Sequence, residues 1–313
     1  MIESPTHTGA AGNPKPRYRG RFAPTPSGPL HLGSLLTALA SWLCARAANG
    51  SWLLRIDDLD RERCDPSASA QILRQLEAHG LLWDEAPRYQ SAQLDVYAVA
   101  LRALRDDGKL YACDCSRAQL RERARAGRDG PVYDGRCRGR RLDFETGAWR
   151  LKVAAGERRF EDGWQGSQGC RMPSEIGDFV VRRRDGIPAY QLACVVDEQA
   201  QDITEVVRGA DLLASTFMQL EVCSALAQTA PRYRHLPVLV TADGRKLSKQ
   251  THAPAVDTAA AAHNLWLCLR WLGQAPPQEL RRGAVDDVLT WARANWDAAR
   301  VPSTACIKVE HAL

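Results

Sequence analysis

Apolar and polar residues follow one another along the chain in blocks that predict strands and helices in alternation. The short apolar segment 19–23 ends in a turn rich in proline and glycine, and apolar residues then recur at helical spacing over 32–48. A second apolar run, 52–56, ends in acidic residues, and two helical patterns that end at Gly80 and Gly108 follow it. Strands that alternate with helices are typical of an α/β fold built on a parallel sheet.

The pattern changes in the middle of the chain and then returns. Residues 111–185 are rich in cysteine, arginine and glycine and contain only short strand-like pieces, which indicates an inserted α+β subdomain. The α/β pattern resumes with predicted strands at 189–196, 203–207 and 235–240 and a predicted helix at 212–227.

These blocks divide the chain into five predicted segments. Two helices are predicted near the end of the chain, at 258–272 and 285–298, with a proline-rich break between them. The segments are a flexible arm (1–18), the first half of an α/β domain (19–110), the insertion (111–185), the second half of the α/β domain (186–253) and a short helical C-terminal region (254–313).

Composition excludes several classes of protein. A chain of 313 residues with 45% hydrophobic and 25% charged residues is typical of a globular protein and not of a disordered, collagen-like or coiled-coil chain. The apolar run near 35–45 is interrupted by Thr37 and Ser41, and a membrane helix needs about 20 apolar residues. The first eighteen residues lack the apolar core of an export signal, so we predict a cytoplasmic location and mostly reduced thiols for the ten cysteines.

Positive charge is concentrated in the predicted insertion. The net charge of the chain is only +5, but nine arginines lie between Arg117 and Arg141 against three acidic residues. Such a segment suits a polyanion such as RNA. A solvated arginine surface has the same composition, so charge alone leaves both interpretations open.

Residues 21–34, RFAPTPSGPLHLGS, combine a strand end, a proline-rich turn and the start of a helix at His31 and Gly33. The start of a helix offers free backbone N–H groups and a positive dipole to a phosphate, and glycine allows a ligand to approach the main chain. A proline-rich loop that only caps the helix has the same pattern, so this segment by itself does not identify a site.

Residues 244–250, GRKLSKQ, follow a predicted strand and contain two of the six lysines of the chain, Lys246 and Lys249, beside Ser248. Lysine carries a mobile point charge that suits a phosphoryl group whose position shifts during a reaction. The alternative for this loop alone is a solvated basic turn.

Taken together and in order, these segments resemble those of a known family. HLGS at 31–34 and KLSKQ at 246–250 are similar to the paired HIGH and KMSKS signatures of class I aminoacyl-tRNA synthetases, and RFAPTPSGPLHLG is similar to the glutamyl branch. RIDDLD at 55–60 and VVRGADLL at 206–213 resemble further segments of that branch, so the resemblance covers most of 19–253. It implies that 19–110 and 186–253 are the two halves of a Rossmann-like catalytic domain with the parallel sheet of a class I synthetase. It also implies ATP-dependent activation of glutamate.

The resemblance also implies roles for individual residues. The branch has glutamate where this chain has Asp57, so the shorter side chain would contact the ammonium group of glutamate at longer range or through water. Magnesium would accompany ATP as a substrate, and His31, Lys246 and Lys249 would stabilise the reacting phosphates. The implied ATP-binding residues are His31, Gly33, Ser34 and Lys249, and the implied glutamate-binding residues are Arg21, Phe22, Ala23, Pro24, Thr25, Asp57, Tyr190 and Arg208.

Cys113, Cys115 and Cys137 are spaced so that they could supply three ligands of a tetrahedral zinc ion. Three buried or free thiols are the alternative. The residues alone leave the fourth ligand open among Tyr133, Asp114, Asp134, water or a group elsewhere in the chain. The family resemblance points to Tyr133, in the turn YDGRC, and implies one zinc ion per chain.

Within the glutamyl branch, the resemblance is strongest to short members that attach glutamate to queuosine in the anticodon of tRNA(Asp). Only 64 residues follow Lys249, which is short for the helical anticodon-binding region of ordinary glutamyl-tRNA synthetases. The expected partners are L-glutamate, ATP and the anticodon arm of tRNA(Asp), and we expect a monomer. Two alternatives are an ordinary synthetase that charges a tRNA 3′ end and a zinc-stabilised RNA-binding module that does not activate glutamate.

Overall fold

The computed structural model describes residues 17–247 and 253–309. Most of the predicted arm, Ser248 and Lys249 therefore lie outside the described residues. The helices are α1 (Leu32–Ala47), α2 (Pro66–Ala78), α3 (Leu94–Asp106), α4 (Arg117–Arg123), α5 (Met172–Glu175), α6 (Tyr190–Ala200), α7 (Leu213–Ala225), α8 (Ala261–Trp271) and α9 (Val285–Asn295). The strands are β1 (Arg19–Phe22), β2 (Ser51–Ile56), β3 (Arg88–Tyr89), β4 (Leu110–Cys113), β5 (Arg125–Gly127), β6 (Gly130–Val132), β7 (Ala148–Leu151), β8 (Glu157–Asp162), β9 (Gly166–Arg171), β10 (Val180–Arg182), β11 (Glu205–Gly209), β12 (Arg232–Leu236), β13 (Val238–Val240) and β14 (Cys306–Lys308).

The main strands are parallel, as the alternating pattern predicts. β2 pairs with both β1 and β3, and β11 pairs with β12, in each case in parallel. The backbone N–H of Thr204, just before β11, donates to the carbonyl of Arg19 at 2.9 Å, so β11 lies beside β1. The order of strands is therefore β3-β2-β1-β11-β12, and the direction of winding changes between β1 and β11. In an open α/β sheet, ligands bind outside the carboxyl ends of the strands at this point.

Helix α1 covers the sheet because its apolar residues recur at helical spacing. Leu35, Leu36, Leu39 and Leu43 are all at most 1% exposed, and they share a hydrophobic cluster with residues of β1, β2, α8 and α9. Burying one leucine side chain stabilises a fold by about 1.5–3 kcal/mol. The start of α1, beside the carboxyl end of β1, is therefore held firmly.

Two sequence predictions about the segment 186–253 differ from the structure. The predicted strand 189–196 is helix α6, because the run 192–196 is buried on all sides and a fully apolar run has no periodicity that separates a helix from a strand. The predicted strand 235–240 is interrupted at Pro237, which has no N–H to donate, and forms the end of β12 and the separate strand β13.

The predicted insertion contains antiparallel pairs. β7 lies between β4 and β10, β5 pairs with β6, and β8 pairs with β9. β8 also pairs in parallel with β12, where Asp162 lies opposite Tyr233, so this hairpin extends the main sheet. The division of the chain into domains stays a prediction.

The C-terminal region contains the two predicted helices, as α8 and α9, but it is not only helical. After α9 the chain returns to the segment that follows β12, where β14 pairs in parallel with β13. None of the helices within the described ranges is long and apolar enough to cross a membrane.

Candidate active site

A cavity of about 670 Å³ opens where the winding of the sheet reverses. The carboxyl ends of β1 and β11, the start of α1 and residues of the segment 237–247 line it. Every predicted glutamate-binding and ATP-binding residue lines this cavity except Asp57 and Lys249, of which Lys249 is outside the described residues. The predicted residues that line it are Arg21, Phe22, Ala23, Pro24, Thr25, His31, Gly33, Ser34, Tyr190, Arg208 and Lys246.

Arg21 is held by a carboxylate of the protein. The side chain is 3% exposed, and its Nη2 lies 2.9 Å from Oε1 of Glu198 on α6. Its Nη1 also donates to the carbonyl of Val207 at 3.3 Å. Since Glu198 is equally buried, at 3% exposed, the pair fixes the guanidinium at the end of β1 and offsets its charge.

Arg208 is held by neutral groups and keeps one donor without a partner. Its Nε donates to Nε2 of His235 at 3.1 Å, and its Nη2 donates to the hydroxyl of Thr216 at 2.8 Å. Its Nη1 is buried and has no hydrogen-bond partner among the described residues. A buried donor of this kind is available to a ligand carboxylate.

Asp57 does not line the cavity. Its two carboxylate oxygens lie 2.7 Å and 3.2 Å from Nε and Nη2 of Arg55, which lies on β2 two residues earlier. Burial raises the pKa of Asp57, although Arg55 opposes this effect. The predicted contact of Asp57 with the ammonium group of glutamate stays a prediction, and the structure assigns its oxygens to Arg55.

His31 is the N-cap residue of α1, and its Nδ1 accepts a hydrogen bond from the backbone N–H of Ser34 at 3.3 Å. A Cβ added at Gly33 would lie only 3.0 Å from the His31 ring and 3.5 Å from the carbonyl oxygen of Leu247. A side chain at this position would crowd the His31 ring, so glycine lets the imidazole pack against the helix start. The helix start and the described part of KLSKQ, Lys246 and Leu247, line the same cavity.

Lys246 faces this end of the cavity, where its Nζ lies 2.5 Å from Oδ2 of Asp211. Asp211 comes just after β11, within the segment VVRGADLL. Among the described residues that line the cavity, the cationic side chains are those of Arg21, Arg63, Arg208 and Lys246, and the carboxylate is that of Asp211. The excess of positive charge suits a carboxylate and phosphates as ligands.

Sequence reasoning missed several of the groups that build this site. Glu198, Thr216 and His235 hold the two arginines, and Arg63 and Asp211 line the cavity. Glu198 carried a usable signal, because Asp197 and Glu198 follow directly after the apolar run 192–196, and carboxylates beside a buried run need partners. Thr216 and His235 carried no such signal.

The three predicted cysteine ligands come together. The sulfur atoms of Cys113, Cys115 and Cys137 all lie within 4.8 Å of one another, and Cys115 Sγ is 3.6 Å from Cys137 Sγ. Zinc bound tetrahedrally at ~2.3 Å from each sulfur would place the sulfurs about 3.8 Å apart. The group has the dimensions of a metal site.

Tyr133 lies beside this group. Its Oη is 3.5 Å from Cys113 Sγ and 3.7 Å from Cys115 Sγ, and it accepts a hydrogen bond from the backbone N–H of Cys137 at 2.8 Å. With Zn–S at ~2.3 Å and Zn–O at ~2.0 Å, a tetrahedral site would separate oxygen and sulfur by about 3.5 Å. Burial raises the pKa of Tyr133, so a bound cation would have to stabilise the phenolate.

The two aspartates near the cysteines are already paired with arginines. Asp114 lies 3.1 Å from Arg140, and Asp134 lies 2.9 Å from Arg123. Asp114 Oδ1 is also 3.3 Å from Cys137 Sγ, but it would have to leave Arg140 to bind a metal. Tyr133 therefore fits the fourth position better than either carboxylate does.

Comparison with known proteins agrees with this geometry. The family model described as tRNA synthetases class I (E and Q), catalytic domain, matches residues 17–264. The glutamyl-Q tRNA(Asp) synthetase of Chromobacterium violaceum is 51% identical over 287 residues, which are 91% of this chain and 96% of that protein. The protein of the same name from Methylococcus capsulatus is 47% identical over 292 residues, 93% of this chain and 95% of that one.

The fold also matches a solved structure, a glutamate tRNA ligase from Elizabethkingia meningosepticum in complex with its amino acid. The TM-score is 0.77 at 24% identity, and the match covers 93% of this chain and 67% of that one. At this identity the match shows the fold alone. The family model and the two relatives carry the assignment further: the chain belongs to the class I tRNA synthetases of the E and Q type and, among them, to the glutamyl-Q tRNA(Asp) synthetase family.

Proposed function

We propose that this chain activates L-glutamate with ATP and transfers the glutamyl group to queuosine in the anticodon of tRNA(Asp). The observation that carries the proposal is the cavity of about 670 Å³, which is lined by Arg208, the capped start of α1 and Lys246. Nη1 of Arg208 is buried and has no hydrogen-bond partner in the part of the chain that the structure describes. The names of the relatives, at 51% and 47% identity, supply the acceptor.

Glutamate needs cations for its two carboxylates and acceptors for its ammonium group. Arg21 and Arg208 lie at the carboxyl ends of neighbouring strands, and Nη1 of Arg208 can donate to a carboxylate without giving up a bond within the protein. Main-chain and hydroxyl groups of Ala23 and Thr25 face the ammonium group in this proposal, and Tyr190, which is 38% exposed, closes the site.

In the activation step, a carboxylate oxygen of glutamate attacks the α-phosphorus of ATP. One P–O bond forms to the carboxylate and the P–O bond to pyrophosphate breaks, which gives glutamyl adenylate. The protein forms no covalent bond, so its part is to position the reactants and to stabilise charge on the phosphoryl oxygens. His31, the N–H groups at the start of α1, Lys246 and Lys249 serve this role, and magnesium enters with ATP.

In the transfer step, a hydroxyl oxygen of queuosine attacks the carbonyl carbon of the adenylate. The new ester bond forms as the bond to AMP breaks, and the hydroxyl proton passes to the phosphate of AMP or to water. Exposed arginines of the insertion suit the phosphates of an anticodon arm. Among the described residues, Arg117, Arg125, Arg136 and Arg141 are exposed and have no carboxylate partner.

One zinc ion held by Cys113, Cys115, Tyr133 and Cys137 belongs to the same proposal. The sulfur–sulfur and sulfur–oxygen distances support it, and so do the cations around the group: Arg123 lies 3.4 Å from Cys115 Sγ, and Cζ of Arg150 lies 3.9 Å from the centre of the Tyr133 ring. When bound, zinc would supply folding energy to a region with few buried apolar side chains.

The experiment supplies labelled glutamate, ATP and tRNA(Asp) that contains queuosine, and then cuts the RNA on both sides of the anticodon. We expect the label in the anticodon fragment. Two control substrates accompany it: the same tRNA with guanosine in place of queuosine, which should stay unlabelled, and a tRNA that lacks its 3′-terminal adenosine, which should be labelled like the intact one.

Each result decides between the candidate functions. Label that disappears with the terminal adenosine would identify an ordinary glutamyl-tRNA synthetase. Binding of the tRNA without exchange of label between pyrophosphate and ATP in the presence of glutamate would identify a binding module and overturn the proposal.

A further inference from the structure

Three side chains on neighbouring parallel strands form a row that leads into the cavity. Arg208 on β11 lies directly opposite His235 on β12, and Asp162 lies at the end of β8, opposite Tyr233. Asp162, His235 and Arg208 are 5%, 0% and 3% exposed. Of the three, only Arg208 lines the cavity.

The hydrogen bonds along this row fix the position of one proton. Nε of arginine can only donate, so Nε2 of His235, 3.1 Å away, must accept. The ring proton therefore sits on Nδ1, which donates to Oδ2 of Asp162 at 2.5 Å. Oδ1 of Asp162 accepts in turn from three backbone N–H groups, those of Trp164, Gln165 and His235, at 3.0, 2.9 and 3.0 Å.

The surroundings keep the imidazole neutral. Burial lowers the pKa of His235, and the effect of Arg208 adds to it, while Asp162 and the more distant Asp211 oppose it. The remaining neighbours are uncharged: the hydroxyl of Thr216 lies 3.2 Å from Nε2, and the rings of Phe160 and Tyr233 pack at 6.5 Å and 6.1 Å between centroids.

The two arginines of the cavity are therefore held in different ways. Arg21 bonds directly to the carboxylate of Glu198, which offsets its charge. Arg208 is oriented by a neutral imidazole and a hydroxyl, and the nearest carboxylate in the row is on the far side of the imidazole. Its charge stays available to a ligand, and its two occupied nitrogens prevent the guanidinium from turning away.

We infer that Asp162 and His235 are positioning residues of the glutamate site, which hold Arg208 in the orientation that binds a carboxylate of the substrate. The inference rests on the proposed activation of glutamate. An arginine whose orientation is set before binding loses less side-chain entropy when the ion pair forms. Neither residue touches the substrate, so the effect passes through the tautomer of the histidine.

Asp162→Asn tests this chain of contacts with a side chain of nearly the same shape. The amide oxygen can still accept from the three backbone N–H groups, but its NH₂ group would donate to Nδ1 of His235. The ring proton would then move to Nε2, where it would face the N–H of Arg208. We expect the KM for glutamate in ATP–pyrophosphate exchange to rise about 10- to 100-fold, the effect of losing a hydrogen bond to a charged group. The KM for ATP should change less than about twofold, because the proposed ATP contacts at His31, Gly33, Ser34 and Lys246 do not belong to this row of side chains.

Asp178→Asn is the matched control. Asp178 is also 5% exposed and bonded to a backbone N–H, that of Val153, but it does not line the cavity. This variant should keep the KM for glutamate. ¹⁵N spectra of labelled histidines supply a direct readout: His235 should carry its proton on Nδ1 in the unmodified protein and on Nε2 in Asp162→Asn, with His235→Gln used to assign its signals.

The outcomes separate this inference from the proposed function. If the unmodified protein does not exchange label with glutamate, the proposed function fails. If it does, but Asp162→Asn keeps the KM for glutamate within about twofold or raises both KM values alike, the positioning role is overturned. Should Asp162→Asn not fold, Thr216→Val removes the 2.8 Å bond to Nη2 of Arg208 and must itself raise the KM for glutamate several-fold. An unchanged value there would also overturn the inference.

Discussion

The cavity and the cysteine group obtain their order from different sources. The cavity residues lie at the ends of strands whose other side chains belong to large hydrophobic clusters, so the sheet and its helices hold the site in place. In the cysteine group, the buried cluster consists of Tyr111, Cys113, Tyr133 and Cys137, and three of these four are the proposed ligands. In this region, therefore, the proposed metal ligands themselves make up most of the local hydrophobic core.

This difference determines how each region should respond to mutation. A side chain of the cavity can be changed at a cost in activity while the sheet keeps its fold. A change in the cysteine group removes part of the local core and a ligand of the proposed zinc ion together, so it should lower stability before it lowers the rate of the reaction.

Lys249→Ala should lower the rate of glutamate activation by about 10²- to 10³-fold, the usual effect of removing one group that stabilises charge in a transition state. The KM for ATP, the zinc content and the unfolding temperature should stay close to those of the unmodified protein. Steady-state ATP–pyrophosphate exchange and thermal unfolding measure these quantities. Lys152→Ala removes a lysine that does not line the cavity and should leave the rate unchanged. A rate within a few-fold of normal for Lys249→Ala would remove this lysine from the proposed chemistry.

Cys113→Ser should give the opposite result. The zinc content should fall from about one ion per chain to nearly none, and the free energy of unfolding should fall by on the order of 4 kcal/mol, as when a structural ion is lost. Glutamate activation at low temperature should stay within a few-fold of normal. Elemental analysis and denaturant unfolding measure the two losses.

Cys306→Ser is the control for that variant, because Cys306 is an exposed cysteine outside the group. It should keep both the metal and the stability. Purified unmodified protein without zinc would contradict the proposed site, and a Cys113→Ser protein that folds normally but cannot activate glutamate would contradict the separation of the two regions.

The sequence predicted the residues that line the cavity better than it predicted the residues that hold them. The helix start at His31 and Gly33 and the strand ends at Arg21 and Arg208 belong to local patterns, which a linear sequence displays. Two of the carboxylates that hold the site lie far along the chain from the groups they bond: Glu198 is 177 residues from Arg21, and Asp162 is 73 residues from His235. Residues so far apart in the sequence are brought together by the order of the strands and helices in the fold. A local sequence pattern therefore does not predict such a contact.

Burial explains why the predicted strand 189–196 is a helix in the structure. A helix buried on all sides, such as α6, shows no alternation between apolar and polar faces, so its apolar run was indistinguishable from a strand. The spacing of Cys113, Cys115 and Cys137 did predict that the three thiols lie together, because two of them are separated by a single residue and the third belongs to a turn.

The smallest expected effect concerns the arginines of the insertion. Arg117, Arg136 and Arg141 are exposed, and no carboxylate of the described residues pairs with them, so replacing all three by glutamine should not leave an unpaired acid behind. If they contact the phosphates of the anticodon arm, the KM for tRNA should rise a few-fold, and the log–log dependence of tRNA affinity on salt should become shallower by about 0.7–0.9 per lost contact. Exchange with glutamate and ATP alone should not change.

Replacing Arg74, Arg102 and Arg293 by glutamine is the control, because it removes the same charge from exposed positions outside the insertion. It distinguishes the effect of losing local phosphate contacts from the effect of lowering the net charge. Equal salt slopes for the two triple variants would mean that the insertion surface is only solvated, and the tRNA would then have to bind elsewhere on the protein.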